Sequence, residues 1–177
     1  MMTIDQESLA VKIAEASLLR GEFTLRSGRT SSYYLDKYLF STRPEILKDL
    51  AVLFAERIPA GVDRLAGAEL GGIPLVTATS MQTGLPCLFI RNSKKDYGTS
   101  KQLEGVLEAG EKVVLLEDVA TTGGQALEAA QIMKDMGAEV VKVIATIDRQ
   151  EGARENFDAA GITFESLFTK KDLGISE

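Results

Sequence analysis

Glu117 and Asp118 stand side by side behind an apolar run, Val113 to Leu116, and ahead of Thr121, Thr122, Gly123 and Gly124. The run is β-branched and aliphatic, which suits a strand buried on both faces, and the two carboxylates fall where that strand leaves the sheet. In the turn that follows, backbone N–H groups can converge on one anion, because glycine tolerates the positive φ that such a nest needs. From about Gln125 the pattern is helical through Ala126, Ala129, Ala130, Met133 and Met136, so a helix N-terminus adds its partial positive charge to the same spot. This chemistry fits a phosphate. Other phosphate loops fit poorly: no GxGxxG opens a helix after a strand, and although Gly105 and Gly110 have the spacing of a Gly-Lys-Ser/Thr loop, Glu111 stands where its lysine would be.

Carboxylates repel a phosphate, so Glu117 and Asp118 must face something else in the ligand, either hydroxyl donors or a magnesium ion. A ribose 5-phosphate supplies suitable partners, with its phosphate in the Thr-Thr-Gly-Gly turn and its 2- and 3-hydroxyls on the two acids. A second chemical segment is the loop from Arg91 to Gly105. It carries Arg91, Lys94, Lys95 and Lys101 and has almost no apolar residue before Leu103, so it is expected to be mobile.

Composition narrows the chemistry. The chain has 177 residues, one cysteine and no histidine, with a net charge of -6. The absence of histidine excludes Ser-His-Asp and Cys-His catalysis and imidazole-built zinc sites; any metal must be held by oxygen. The acidic balance argues against a nucleic-acid partner. The opening MMTIDQES has no basic or apolar leader pattern and no apolar run approaches membrane-spanning length, so a soluble, cytoplasmic protein is expected, with no membrane partner. Cys87, within LPCLFI, reads as a small core residue.

Those residues must be positioned by a frame. Thr3 and Gln6 have capping-box spacing ahead of a helix running to about Leu19, with Gly21 as its stop. Phe23 to Phe40 reads as strand, turn and strand around Ser27-Gly28. A helix from about Pro44 to Arg57, a strand near Arg64 to Ala68 and a helix from about Ile73 to Gln82 follow. Strands recur near Cys87 to Ile90, Val113 to Leu116, Val140 to Ile147 and Ile162 to Leu167, with helices between the last three. Repeated βαβ predicts one α/β domain over residues 1–177, a mainly parallel sheet with helices on both faces. Ligands of such sheets sit at the carboxyl ends of the strands, where Glu117, Asp118 and Arg149 fall.

VVLLEDVATTGG closely resembles the phosphoribosyl-diphosphate (PRPP) motif of the type I phosphoribosyltransferases. FTLRSGRTSSYYLD (Phe23 to Asp36), GAELGGIPL (Gly67 to Leu75), RNSKKDYGTSKQLEG (Arg91 to Gly105) and IDRQEGA (Ile147 to Ala153) appear in the order found in the orotate branch of that family. The resemblance implies the type I fold with a small N-terminal hood from about residues 1–40, and phosphoribosyl transfer from PRPP to orotate in UMP biosynthesis. It implies a homodimer whose catalytic loops reach across to the neighbouring subunit, with Mg2+ held mainly by PRPP near Asp118. The catalytic residues carried over are Lys95, Arg91 and Asp118. PRPP contacts carried over from the basic segments are Arg26, Arg91, Lys94, Lys95 and Tyr97. Those of the motif are Glu117, Asp118, Val119, Ala120, Thr121, Thr122, Gly123, Gly124 and Gln125.

Orotate needs a cationic fork for its carboxylate and a flat wall for its ring. Arg149 can supply the fork and Thr121 a polar contact. Tyr33 and Tyr34 point to opposite faces of their strand, and the resemblance favours Tyr34 as the pocket residue. The chain departs from the family at Asn92, where a second basic residue is common, at Tyr97, where a histidine is common, and at Gly71, where some members have lysine. The diphosphate grip then rests on fewer cations, with Lys94 or Arg26 substituting. Two other readings stand beside this one: a phosphoribosyltransferase for another base, which Arg149 and the loop disfavour, and a non-catalytic PRPP sensor, which Lys95 and the acidic balance disfavour.

Overall fold

The longest strand pair lies at the centre of the molecule and carries the site. In the computed structural model, which describes residues 4–24, 28, 30–93 and 102–176, the elements are α1 (Gln6–Ser17), β1 (Leu18–Thr24), β2 (Thr30–Leu35), α2 (Lys37–Ser41), α3 (Pro44–Arg57), β3 (Arg64–Ala68), α4 (Gly72–Thr83), β4 (Cys87–Ile90), β5 (Leu103–Glu104), β6 (Lys112–Ala120), α5 (Gly124–Asp135), β7 (Glu139–Asp148), α6 (Ala153–Ala159) and β8 (Thr163–Thr169). A six-stranded sheet runs β5-β4-β3-β6-β7-β8, parallel except for the antiparallel edge pair β4-β5. β1 and β2 form a separate antiparallel hairpin.

Side-chain alternation along β6 divides the core. Val114 and Leu116 pack with Leu9 and Ile13 of α1, Leu50 and Phe54 of α3, and Leu75 and Val76 of α4. Val113 and Leu115 face the other way, against Ala126, Ala130 and Met133 of α5 and Phe157 of α6. Each fully buried Leu or Phe contributes about 1.5–3 kcal/mol relative to an exposed one, so both helical layers are held by apolar burial. Proline at the first position of α3 fits its fixed φ to the helix start.

Three element boundaries differ from the sequence reading. Asp5 is the N-cap of α1, its side chain accepting from the N–H groups of Glu7 and Ser8; Thr3 lies outside the described residues. The helix ends at Ser17, not near Leu19, because Leu18 is already extended and begins β1. Gly21 therefore sits inside the hairpin, at the register irregularity between Arg20 and Phe23. After Leu35 the chain does not continue as strand to Phe40: the Asp36 carboxylate accepts from Tyr38 N–H and caps the short α2.

β6 also outruns its expected end. β7 is ten residues long and pairs with β6 as far as Ala120 opposite Asp148, so Glu117 and Asp118 lie within the paired strand rather than beyond it. This correction explains their burial. The two-residue β5, which is too short to show a period, was not anticipated.

Candidate active site

The site begins with a strand that buries two acids. Glu117 is 6% and Asp118 1% exposed. Glu117 continues the row of Val113 and Leu115 toward α5, whereas Asp118 continues the row of Val114 and Leu116 toward α4. Burial in the low-dielectric interior, reinforced by the neighbouring Asp118 charge, pushes the Glu117 carboxyl up to about 8. Asp118 has a different partner. Lys37 Nζ, from the start of α2, lies 2.9 Å from its Oδ2. Burial alone would lower the Lys37 ammonium, but Asp118 outweighs that and holds it above its usual value.

The turn after β6 is shaped for an anion. Gly123 has φ +77°, and a Cβ there would come within 2.7 Å of the Phe157 ring, so both conformation and space call for glycine. Asn156 Nδ2 braces the turn by donating to the Thr122 carbonyl at 2.8 Å. Among the described residues no side chain caps α5, leaving N–H groups of its first turn for a ligand. The resulting open pocket, about 220 Å³, is lined by the turn residues, Glu117 and Lys37. Gln125 anchors its far rim: Nε2 donates to the Glu69 carbonyl at 3.0 Å and to Asn92 Oδ1 at 2.8 Å.

Arg149 stands on the neighbouring strand end. Its N–H donates to the Ala120 carbonyl at 2.9 Å, extending the β6-β7 ladder and setting Arg149 next to Thr121. Its Nη2 donates to Tyr33 Oη at 3.0 Å and pairs with Glu151 Oε1 at 3.1 Å. The guanidinium carbon lies 5.7 Å from the Tyr33 ring centre. Arg149 Nε is buried without a hydrogen-bond partner among the described residues.

The chain as a whole is similar to known proteins. A family model described as the phosphoribosyl transferase domain matches residues 41–166. The orotate phosphoribosyltransferase of Natronomonas pharaonis is 49% identical over 164 residues, 93% of this chain and 93% of that one. This chain belongs to the orotate phosphoribosyltransferase family. Among solved structures, the orotate phosphoribosyltransferase of Mycobacterium tuberculosis with Fe(III) dicitrate matches with a TM-score of 0.88 at 32% identity, covering 97% of this chain and 100% of that one. The same enzyme in complex with PRPP matches with a TM-score of 0.83 at 31% identity and the same coverage. The fold is the type I phosphoribosyltransferase fold.

Within that orotate phosphoribosyltransferase frame, the structure brings Glu117, Val119, Ala120, Thr121, Thr122, Gly123, Gly124 and Gln125 to one pocket, and Asp118 is tied to it through Lys37. Arg91 is not brought to the nest: its Nε pairs with Glu104 Oε1 at 3.1 Å across the base of the loop. Tyr34 is not the tyrosine beside Arg149. Alternation in β2 turns Tyr33 inward and leaves Tyr34 46% exposed, its ring 5.8 Å from that of Phe23. Arg26, Lys94, Lys95 and Tyr97 lie outside the described residues. Sequence reasoning missed Lys37. Its only local signal is its place directly after the tyrosine-bearing strand, which says nothing about a carboxylate on β6.

Proposed function

We propose that this protein transfers the 5-phosphoribosyl group of PRPP to orotate, giving orotidine 5′-monophosphate and diphosphate, as a magnesium-dependent cytoplasmic homodimer in UMP biosynthesis. The observation that carries the reading is the register of β6 and β7. It sets an anion nest at the end of one strand and the guanidinium of Arg149 at the end of the next. One end suits a phosphate and the other a carboxylate.

In this reading the 5-phosphate sits at the start of α5, and the ribose hydroxyls donate to Glu117 and Asp118. Arg149 holds the orotate carboxylate against Tyr33, with Thr121 beside the ring. The C1–O bond to diphosphate breaks with its electron pair leaving on diphosphate, and C1 bonds to a ring nitrogen of orotate, which gives up its proton. Positive charge grows on the sugar meanwhile, so the Asp118 carboxylate is favourably placed, while Glu117 serves as a hydrogen-bonding partner for a ribose hydroxyl. Lys95, Lys94 and Arg91 are the cations that would offset the charge of the departing diphosphate. Among the described residues no three acidic, histidine or cysteine side chains converge on a metal site. In this reading a magnesium ion arrives on the diphosphate, with Asp118 and Glu117 as nearby oxygen donors; bound there, it would neutralise diphosphate charge.

The test is the loss of orotate absorbance on addition of PRPP and magnesium, beside parallel reactions with hypoxanthine, adenine and uracil. Turnover of orotate alone is expected; turnover of another base in its place overturns the reading. Sharing of loops between subunits is tested by mixing Lys95→Ala with Asp118→Asn protein. About half of randomly exchanged dimers are mixed and each has one intact site, so activity should return to about a quarter of wild type. A mixture that stays inactive after verified exchange refutes the shared site.

A further inference from the structure

Lys37 has no part in the scheme above, yet it holds the more deeply buried of the two acids. Oδ2 of Asp118 is wedged between its ammonium, 2.9 Å away, and the bare Cα of Gly71, where a Cβ would come within 1.5 Å of that oxygen. A buried carboxylate without a partner is costly, so the cation in this gap decides how Asp118 is held. The Lys37 side chain is 33% exposed and lines the same pocket as the anion nest. It thus borders both the acid and the place where a phosphate fits.

Two demands then meet at one carboxylate. Under the proposed function, ribose hydroxyls donate to Asp118 when substrate is bound, and the Lys37 ammonium loses sole claim to Oδ2. Its nearest alternative anion is the substrate's own phosphate in the shared pocket. We propose that Lys37 is a further substrate-binding residue: its ammonium rests on Asp118 in the empty site and turns to a substrate phosphate when the ribose hydroxyls claim that carboxylate. A lysine suits such an exchange, since its ammonium is a point charge on a flexible stem, whereas arginine favours a fixed planar fork.

This inference rests on the phosphoribosyl reading, and binding measurements separate the two. PRPP and ribose 5-phosphate are titrated calorimetrically into wild type, Lys37→Gln and Lys37→Arg, and the KM for orotate is measured alongside. Lys37→Gln should weaken both phosphorylated ligands by about tenfold or more, as expected for loss of a charge-assisted contact, and leave the orotate KM within about twofold. Lys37→Arg should recover part of that loss. Unchanged PRPP affinity in folded Lys37→Gln overturns the proposal, as does equal weakening of PRPP and orotate, which marks a purely structural lysine. A loss confined to PRPP, with ribose 5-phosphate unaffected, assigns Lys37 to the diphosphate, and a loss for both assigns it to the 5-phosphate; either supports the proposal. Should Lys37→Gln fail to fold, Lys37→Gln with Asp118→Asn, which removes both charges, is compared with Asp118→Asn alone. A further drop in PRPP affinity supports the role and no drop overturns it. Wild-type protein that binds PRPP but leaves orotate unchanged sinks the orotate reading without touching Lys37.

Discussion

The two ends of this site are assembled in opposite ways. The nest is one contiguous stretch, from Glu117 to Gln125, in which a strand end, a glycine turn and a helix start are successive in the chain. The Arg149 end is gathered from afar: Arg149 and Tyr33 are 116 positions apart, and the hairpin that brings Tyr33 belongs to a separate small sheet. A locally encoded site depends on a few backbone angles, whereas a gathered site depends on docking one element against another. The hairpin reaches the main sheet through Tyr33 at Arg149, and α2, which follows it, reaches the sheet through Lys37 at Asp118, so this N-terminal stretch is tied to both ends of the site.

Both modes of assembly meet at Asp118. Asp118→Asn removes the acid of the contiguous segment and the anchor of Lys37 together; kcat/KM for PRPP should fall by about 2–4 kcal/mol of transition-state stabilisation. An unchanged kcat/KM would remove Asp118 from the mechanism. Arg149→Ala strikes only the gathered end. It should raise the orotate KM by a factor equivalent to about 1.5–3 kcal/mol and leave the PRPP KM nearly unchanged, and Arg149→Lys should recover only part. Equal weakening of both substrates would mean that Arg149 mainly holds the hairpin in place.

Gly123→Ala strikes only the contiguous end. A left-handed φ without glycine and a Cβ against the Phe157 ring should cost about 1–3 kcal/mol of stability, seen in thermal melts, and should weaken PRPP more than orotate. If orotate suffers more, the two ends are not separable. A further prediction, read in pH dependence, concerns Glu117. Its folded-state pKa of about 8, against 4.5 for the unfolded carboxyl, means the fold retains a proton that the unfolded chain has lost between those values. The destabilising contribution of Glu117 is therefore absent below pH 4.5 and grows as pH rises to about 8. Glu117→Gln, which cannot ionise, should melt progressively higher than wild type across that window and in parallel with it below. A gap that narrows with rising pH would show that Glu117 is ionised in the native protein.

Legibility of the sequence followed the same division. VVLLEDVATTGG could be read as strand, acids, nest and helix because each piece is set by neighbours in the chain, and the alternation of strands and helices gave the mainly parallel sheet for the same reason. The errors fell where a neighbour from elsewhere intervened. β6 reaches Ala120 because β7 carries it there, and the hairpin begins at Leu18 because it pairs with Leu35, not because Gly21 stops a helix. The tyrosine pair shows the limit within a single strand. Alternation required that only one face inward, but which one does was decided by the docking of the hairpin, and it is Tyr33.

The glycine turn, the acidic pair and the order of the elements are set by short segments of the chain, since glycine conformation, apolar periodicity and charge are local properties. The raised Glu117 carboxyl, the pairing of Lys37 with Asp118 and the lean of Arg149 on Tyr33 come from packing between elements. Burial and ion pairing depend on distances between side chains from different elements, and those distances exist only once the sheet, its helices and the hairpin have packed together.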